Sequence, residues 1–286
     1  MAELQEILSR FYSIFPWTED PYSKEGKERF ENTLKFMEQL VNHRWLRDLL
    51  SKKSVIRVLE ICGGTGIEGV ALAKILMDKG INVYLLITDL RKEALNIAEK
   101  WSLEVLGKGV DTLLIDAREV HKLDSKFDIL LLYGLSTPHF NPWDMVKLFT
   151  SVSKVLVNDG LFIIDEGDRR YALLTQGYKH VLAEYSSEER FVVSFHIGYN
   201  LVKGSIKRTY VDLIKQTKPV TMELFMWGLA EVAALTWVFF ENVDLVKLER
   251  TRHFIIGYKP RRILTPECLS EPSVLIKFEN TTTVLQ

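Results

Sequence analysis

Residues 55–69 read Val-Ile-Arg-Val-Leu-Glu-Ile-Cys-Gly-Gly-Thr-Gly-Ile-Glu-Gly. The stretch begins with a β-branched, apolar run of the kind that forms a buried parallel strand. The run ends close to the acidic residue Glu60, and a cluster of glycines follows. From Ile67 to Ile75 the apolar residues then recur with the period of a helix. The stretch therefore predicts a strand, a tight turn and a helix in succession.

A turn of this kind is suited to binding a nucleotide. Glycines let a ligand approach the main chain, and the free N–H groups of the next helix attract negative charge. Gly64, Gly66 and Gly69 satisfy the G-x-G-x-x-G pattern of dinucleotide-binding proteins, and Asp89 lies 20 residues beyond Gly69. No Gly-Lys-Ser/Thr follows, which excludes a P-loop. The carboxylate of Glu60 would repel a pyrophosphate, so a cofactor with a cationic amino-acid end fits better than NAD.

Residues 58–66, Val-Leu-Glu-Ile-Cys-Gly-Gly-Thr-Gly, resemble the first motif of the class I S-adenosylmethionine (SAM) dependent methyltransferases. The family pattern is apolar-apolar-Asp/Glu-x-x-x-Gly-x-Gly, and in that family the glycine turn packs against the methionine part of SAM. The resemblance implies that SAM is the cofactor and S-adenosylhomocysteine the product. It also implies that the methionine end is bound by residues at the end of the strand and in the turn, namely Glu60, Cys62, Gly63, Gly64, Thr65 and Gly66.

The next two strands end on further candidate cofactor residues. Residues 81–89 form a second apolar strand that ends at Asp89, whose carboxylate can accept hydrogen bonds from both ribose hydroxyls of an adenosine. The resemblance implies that role for Asp89, next to Leu90, while a helix cap at Asp89 is compatible with it. By position, the resemblance also places Asp116 at the adenine amino group, with Ala117 as a backbone contact.

The candidate catalytic residues follow the fourth and fifth strands. Residues 127–134 predict a strand buried on both faces, and in the family the loop after this strand, with Tyr133 and Gly134, lies beside the transferable methyl group. His139 in the same loop is a candidate general base, although a structural hydrogen bond would also explain a histidine there. Glu166 ends the fifth strand and is a candidate to reach the substrate or to cap the next helix.

The order of these elements predicts an α/β fold, a doubly wound, mostly parallel, seven-stranded sheet of the Rossmann-like class I methyltransferase type. Residues 191–197 and 205–213 alternate in polarity and predict an inserted antiparallel hairpin. Residues 243–248 and 253–258 are joined by a short link, so they predict a final antiparallel hairpin. Such a hairpin is characteristic of class I methyltransferases and is absent from ordinary dehydrogenase sheets, a second argument against NAD. The hairpin of the insert offers His196, Tyr199 and Arg208 as candidate substrate contacts.

The chain divides into three parts in this interpretation. Residues 1–50 predict N-terminal helices, and the resemblance implies that these form a lid over cofactor and substrate. Tyr12, Trp17 and Tyr22 are candidate aromatic residues of the lid. Alternatively, these aromatic residues only dock the helices on the core. Residues 51–259 form the SAM-binding domain, with the inserted hairpin at 190–215 over the active site and an apolar helix at 222–240. Residues 260–286 form a tail with irregular structure and one added strand at Val274–Phe278.

Composition restricts the partners. The chain has 286 residues, 47% of them hydrophobic and 26% charged, as in ordinary globular proteins. Its 37 Lys and Arg residues balance 38 Asp and Glu residues, which argues against a large nucleic-acid surface. Cys62 and Cys268 lack the spacing of a zinc site or a disulfide framework, and no metal is expected. The beginning of the chain has no signal-peptide pattern, and the apolar stretch at 224–240 is short and contains Glu231. We therefore expect a cytoplasmic protein without a membrane span.

The sequence thus predicts an enzyme that transfers a methyl group from SAM to an oxygen, nitrogen or carbon atom of a small molecule by in-line displacement. Two alternatives stay open. One is a methyltransferase acting on RNA or protein, although the Asn-Pro-Pro-Tyr signature of many such enzymes is absent. The other is a subunit that binds SAM without catalysis. A homodimer is compatible with the sequence, which does not reveal the oligomeric state or the acceptor.

Overall fold

The computed structural model describes residues 2–279. Within this range the helices are α1 (Ala2–Ile14), α2 (Lys24–Val41), α3 (Arg44–Lys52), α4 (Ile67–Asp78), α5 (Lys92–Leu106), α6 (Pro142–Val155), α7 (Arg169–Gln176), α8 (Leu229–Phe239) and α9 (Ser273–Glu279). The strands are β1 (Val55–Ile61), β2 (Asn82–Asp89), β3 (Asp111–Leu114), β4 (Phe127–Leu132), β5 (Leu156–Gly167), β6 (Val181–Ser186), β7 (Phe191–Asn200), β8 (Ser205–Asp212), β9 (Val220–Leu224), β10 (Phe240–Lys247) and β11 (Arg252–Pro260). Short 3-10 helices lie at Ala117–Lys122, Thr137–His139 and Pro266–Cys268.

Seven strands form the main sheet, in the order β3-β2-β1-β4-β5-β11-β10. The first five of these strands are parallel, and β11 is antiparallel to both of its neighbours, β5 and β10. The predicted α/β fold with a final antiparallel hairpin is therefore confirmed. Because β1 lies between β2 and β4, the carboxyl ends of three parallel strands meet beside the glycine turn.

The core occupies both faces of the main sheet. Successive residues of a strand point to opposite faces, and Val58 and Leu59 in β1 are both fully buried. Val58 belongs to the apolar layer that contains residues of α2 and α4, whereas Leu59 belongs to the layer that contains α6 and α8. This double burial explains why β1 and β4 are continuous apolar runs, and it holds the strand ends rigidly in place.

The inserted region is a separate antiparallel sheet in the order β6-β7-β8-β9. The predicted hairpin is present as its central pair, β7 and β8, and the structure adds one strand on each side. Helix α1 packs on this sheet through Phe11 and Ile14, which contact a small apolar cluster that includes Val192, Tyr210 and Val220. Helix α1 and the inserted sheet together form a roof over one edge of the main sheet, at the carboxyl ends of the parallel strands.

Two predicted helices have different bounds in the structure. The helix expected from Lys24 to Leu50 is interrupted at Asn42 and His43, where His43 takes an extended backbone conformation and α3 begins. The stretch at 222–240 is a helix only from Leu229, because the residues up to Leu224 pair with β8 as the edge strand β9. A short apolar run fits a strand as well as a buried helix, so its neighbours decide between them.

The strand expected at Val274–Phe278 is wrong. This segment belongs to α9, in which the N–H groups of Leu275 and Ile276 donate to the carbonyl oxygen of Pro272. A proline that precedes the first turn favours a helix start, and Leu275 is buried. The remainder of the predicted tail, residues 280–286, and Met1 of the predicted lid lie outside the described residues. In residues 2–279, no helix has both the length and the apolar character needed to cross a membrane.

Candidate active site

A cavity of about 360 Å³ lies between the carboxyl edge of the main sheet and the roof. The wall on the side of the main sheet is formed by residues that follow β1, β2, β3 and β4, and the opposite wall by α1, the segment after it and the inserted sheet. Its size falls in the range of sites that enclose small molecules. Most of the predicted cofactor residues line it: Cys62, Gly63, Gly64, Thr65, Asp89, Leu90, Asp116, Ala117, Tyr133 and Gly134.

The glycine turn is fixed to β2 by its backbone. Gly63 donates its N–H to the carbonyl oxygen of Thr88 at 2.9 Å, and Gly64 donates to Oδ2 of Asp89 at 2.8 Å. Gly66 has a φ of 73°, and a Cβ atom at this position would lie 2.4 Å from Cδ1 of Ile87. Both the positive φ and the close approach require glycine at position 66. The turn is therefore held open toward the cavity with its N–H groups in a fixed place.

Glu60 lies behind the turn and does not line the cavity. Its side chain is buried, and Oε1 accepts the N–H of Gly69 at 3.0 Å, while Oε2 has no hydrogen-bond partner in residues 2–279. Burial, together with the nearby charge of Glu68, raises the pKa of Glu60 well above its ordinary value. A contact of Glu60 with a ligand stays a prediction. In the structure, Glu68 is the nearby carboxylate that lines the cavity, and it is paired with Arg29.

Asp89 forms the centre of a charged cluster on the cavity wall. Its Oδ1 accepts the backbone N–H of Arg91 at 2.8 Å, and the Arg91 guanidinium also pairs with Glu19 at 2.7 Å. The guanidinium lies 4.0 Å from the centre of the Tyr12 ring. Because Glu19 and Tyr12 belong to the N-terminal region, Arg91 fastens that region to the end of β2. No local pattern in the sequence indicates this pairing, because 72 positions separate Glu19 from Arg91.

Asp116 and Ala117 lie at the exit of β3. Asp116 caps the short helix that follows it by accepting the N–H of Arg118 at 2.9 Å, and the Arg118 guanidinium bridges Asp116 and Asp144 at 2.6 Å each. Burial alone would raise the pKa of Asp116, but the hydrogen bonds and charge of Arg118 outweigh burial and lower it. Asp116 is therefore an ionised acceptor on the cavity wall, beside the buried Ala117.

The loop after β4 brings Tyr133, Gly134 and His139 to the cavity. Gly134 donates its N–H to Oδ2 of Asp165 at 3.2 Å, and Asp165 forms a two-pronged ion pair with Arg252 at 2.8 and 2.7 Å. This ion pair connects β5 with the antiparallel strand β11. The final hairpin thus stabilises the loop that the family resemblance places beside the transferable methyl group.

His139 is neutral at physiological pH. Its Nε2 lies 2.9 Å from the hydroxyl of Tyr12, and its Nδ1 has no hydrogen-bond partner among the described residues. Burial, reinforced by the positive charges of Arg91 and Arg169, lowers the pKa of His139 to about 4. A neutral imidazole with this pKa accepts a proton only weakly, so His139 is a poor base for an acceptor that holds its proton strongly.

Glu166 lies away from the cavity. It is fully buried at the end of β5, where it is paired with Arg169 and accepts the N–H of Gly167 at 3.0 Å. Burial raises the pKa of Glu166 to about 7. The Arg169 guanidinium also donates to the carbonyl oxygen of Leu135 at 2.9 Å. Glu166 therefore supports the loop after β4 through Arg169. A direct catalytic contact of Glu166 stays a prediction.

The inserted sheet contributes a different set of residues from the one that the alternating pattern suggested. Arg208 binds Ser194 in β7 and Tyr178 in the segment before β6, and none of Arg208, His196 and Tyr199 lines the cavity. The sequence analysis missed the residues of β9 because it predicted that this segment is the beginning of an apolar helix. Other residues of the inserted region, and one residue between it and α8, line the cavity. They are Lys203, Ser205, Thr221, Met222, Glu223 and Phe225.

The two lid aromatics Tyr12 and Trp17 line the cavity, and Tyr22 does not. The Trp17 ring lies 4.6 Å from the guanidinium of Arg29. Tyr22 instead donates its hydroxyl to Glu104 on α5 at 2.9 Å. The apolar residues Leu4, Ile7 and Leu8 of α1 complete this side of the cavity.

Comparison with known proteins agrees with the fold. Residues 58–160 match the family described as "Methyltransferase domain". Two curated relatives are the ubiquinone/menaquinone biosynthesis C-methyltransferases UbiE of Rickettsia prowazekii and Rickettsia typhi, which are 28% and 29% identical over 124 residues. These residues cover 43% of this chain and 49% of each relative, so the match spans about half the length of the curated relatives.

Two solved structures show the same fold over most of their length. The PH0226 protein from Pyrococcus horikoshii has a TM-score of 0.61 and 20% identity, with 88% of this chain and 98% of that chain covered. An S-adenosylmethionine-dependent methyltransferase from Clostridium acetobutylicum has a TM-score of 0.59 and 16% identity, with 81% and 92% covered. The first motif, the strand order and the matched domain agree, and residues 58–160 are identified as a class I SAM-dependent methyltransferase domain.

Proposed function

We propose that this protein transfers a methyl group from SAM to a small-molecule acceptor. The observation that carries the proposal is the position of Asp89, whose carboxylate lies on the wall of the roofed cavity and accepts the N–H of Gly64 in the glycine turn. A ribose held by Asp89 would extend from the turn into the cavity. The C-methyltransferase names of the two curated relatives agree with a small-molecule acceptor.

The charges near the predicted cofactor site favour a cationic ligand. Three guanidinium groups there, those of Arg29, Arg91 and Arg118, are paired with carboxylates. Five carboxylates surround these three cations, which leaves an excess of negative charge that suits a sulfonium and an ammonium group. These carboxylates are Glu19, Glu68, Asp89, Asp116 and Asp144.

Each part of the cofactor would have its own residues. The glycine turn would hold the methionine end, with Arg29 as the partner for its carboxylate, since Arg29 lies against both Gly134 and Glu68. Asp89 would hold the ribose next to Leu90, and Asp116 with Ala117 would hold the adenine. When bound, SAM supplies an electrophilic methyl group on a positively charged sulfur atom.

The protein's own residues would act chiefly by alignment and by the exclusion of water. Helix α1 and the inserted sheet cover the cavity, and Tyr133 and Gly134 border it where β4 ends. Holding two reactants in line can supply much of the rate enhancement of a displacement reaction. With a pKa of about 4, His139 could take up a proton only from an acidic acceptor. The acceptor therefore has to carry a nucleophile that loses its proton readily.

Calorimetric titration with S-adenosylhomocysteine, with NAD as the control, tests the cofactor. We expect the first to bind and the second not to bind. Transfer of radiolabelled methyl groups from SAM to a metabolite extract then tests for catalysis, with Asp89→Ala as the inactive control. Binding of NAD alone, or of neither ligand, would contradict the proposal. Binding without transfer to any small molecule would favour a subunit that binds SAM without catalysis.

A further inference from the structure

The part of the cavity beneath the inserted sheet has a different character from the predicted cofactor site. Apolar side chains cover it from several directions: Leu8 from α1, Phe140 from the loop after β4, and Met222 and Phe225 from β9 and the segment after it. An acceptor bound here would need an apolar body. The few polar side chains on this part of the wall then determine which functional group the acceptor carries.

The charged residues of this end are Glu223 and Lys203. Glu223 is occupied, because its Oε1 is paired with Lys207 at 3.0 Å and its Oε2 accepts the hydroxyl of Ser205 at 2.9 Å. Burial would raise the pKa of Glu223, but these bonds and the charges of Lys207 and Lys203 lower it. An ionised carboxylate with two partners has little capacity left to bind a cationic ligand.

Lys203 is the exception among the cations that line the cavity. Arg29, Arg91 and Arg118 each have a carboxylate partner. Among the described side chains, residues 3–276, no carboxylate lies within ion-pair distance of the Lys203 ammonium group, and the nearby Glu223 is paired with Lys207 instead. An anion that enters the cavity would give the Lys203 ammonium group a partner for a charge-assisted hydrogen bond.

The turn that presents Lys203 is held in place from both sides. Oδ1 of Asn200 accepts the backbone N–H groups of Val202 and Lys203 at 3.2 and 3.1 Å. The carbonyl oxygen of Val202 accepts the indole N–H of Trp143 at 3.0 Å, which ties the turn to the beginning of α6. These bonds fix the backbone of Lys203 at the border of the cavity. Preorganisation of this kind increases the affinity of a binding group.

We infer that the acceptor is an amphipathic acid, and that Lys203 binds its carboxylate while the apolar residues under the inserted sheet enclose its body. This inference rests on the proposed function, because it assigns the acceptor end of the same cavity. It predicts that an uncharged amide of the same shape is a much poorer ligand. It also makes Lys203 a specificity residue that does not take part in the transfer itself.

The test compares 3-phenylpropanoate with 3-phenylpropanamide, which have the same apolar body and differ in the charged group. Both are titrated by calorimetry into the full chain, with and without S-adenosylhomocysteine. We expect the acid to bind about tenfold more tightly than the amide or better, as for a charge-assisted contact. In Lys203→Met the acid should lose this advantage, while the affinity for the amide stays the same.

Lys215→Met is the matched control, because Lys215 lies in the exposed turn after β8 and does not line the cavity. It makes the same charge change in the same inserted sheet, and it should retain the preference for the acid. Equal affinity of the wild-type protein for acid and amide, or no binding of the acid, overturns the inference. A preference that survives in Lys203→Met also overturns it. S-adenosylhomocysteine binding by each protein is scored separately, so a failure of the proposed function is distinguished from a failure of this inference.

Discussion

The hydroxyl of Tyr12 lies 2.9 Å from Nε2 of His139, so the first helix reaches directly into the loop that follows β4. These residues are 127 positions apart. The contact joins the roof of the cavity to the loop after β4, and it occupies one nitrogen of the histidine that the sequence offered as a general base. Removal of the roof would therefore change both the exposure of His139 and its basicity.

The first prediction concerns the pH dependence of folding that His139 causes. Its pKa in the folded protein, about 4, lies below the ordinary value of 6.5. Between these two pH values, His139 binds a proton in the unfolded chain but not in the folded protein. The contribution of His139 is therefore complete above pH 6.5 and is lost as the pH falls toward 4, by an amount on the order of 3 kcal/mol.

Urea unfolding at pH 7 and pH 5 measures this contribution in the wild-type protein and in His139→Gln. The wild-type free energy of unfolding should fall more over this interval than that of the variant. An NMR titration of His139 in the folded protein with an ordinary midpoint near pH 6.5 would show that the imidazole is not buried as described.

The second prediction concerns Asp89. We expect Asp89→Ala to weaken the binding of S-adenosylhomocysteine by about 1.5–3 kcal/mol, the range for hydrogen bonds to a charged group. Asp89→Asn keeps the shape and should weaken binding less. Asp78→Ala, which breaks only the exposed pair with Lys74, is the control and should bind normally in a calorimetric titration. Normal affinity in Asp89→Ala would remove Asp89 from the cofactor site.

The third prediction separates backbone strain from crowding in the glycine turn. Gly66 and Gly80 both have positive φ angles, 73° and 79°, but only Gly66 has a close neighbour, Ile87, at the position of a Cβ atom. Gly80→Ala should cost about 1–2 kcal/mol of stability from the left-handed backbone alone. Gly66→Ala should cost more, and it should also weaken cofactor binding.

Thermal and urea unfolding of the two variants provide the measurement. Gly109→Ala is the control, because no atom lies within 4 Å of the added Cβ and the backbone is not in the left-handed region. It should be close to neutral. Equal destabilisation by Gly66→Ala and Gly80→Ala would mean that the side chain of Ile87 moves away from the added Cβ atom without a loss of stability.

The fourth prediction concerns the ion pair between Glu19 and Arg91. Arg91 is buried, and its guanidinium also forms an ion pair with Asp89. A double-mutant cycle with Glu19→Gln and Arg91→Gln should give a coupling energy of about 1–3 kcal/mol. The exposed pair of Lys24 and Glu28 on α2 serves for comparison and should give about 0.5 kcal/mol or less. Similar coupling energies in both cycles would show that burial does not strengthen the ion pair between Glu19 and Arg91.

The fifth prediction concerns the role of His139 in turnover. We expect His139→Ala to lower the rate of methyl transfer more than it lowers the affinity for S-adenosylhomocysteine. Tyr12→Phe removes the hydrogen bond to Nε2 and keeps the ring, so it should have a smaller effect on the rate. Steady-state rates and calorimetric affinities for the two variants provide the test. Unchanged turnover in His139→Ala would exclude His139 from the mechanism.

Local patterns in the sequence were enough to predict several parts of this protein. The strand, glycine turn and helix of residues 55–69 were readable because a few neighbouring residues define each of them. The acids at the ends of β2 and β3 were readable as wall residues, because parallel strands bring their carboxyl ends to one edge. The final hairpin followed from the short link between its two strands.

The distant residues that complete the cavity became apparent from the packing of the elements against each other. Glu60 and Glu166 lie behind its wall, whereas Glu68, Arg91 and Lys203 line it. The pairing of β9 with β8 decided that the beginning of the apolar stretch at 222–240 is a strand. The physical reason is that side-chain pairing across 70 or more positions and the burial of a carboxylate depend on packing between elements. A pattern of near neighbours in the sequence does not contain that packing.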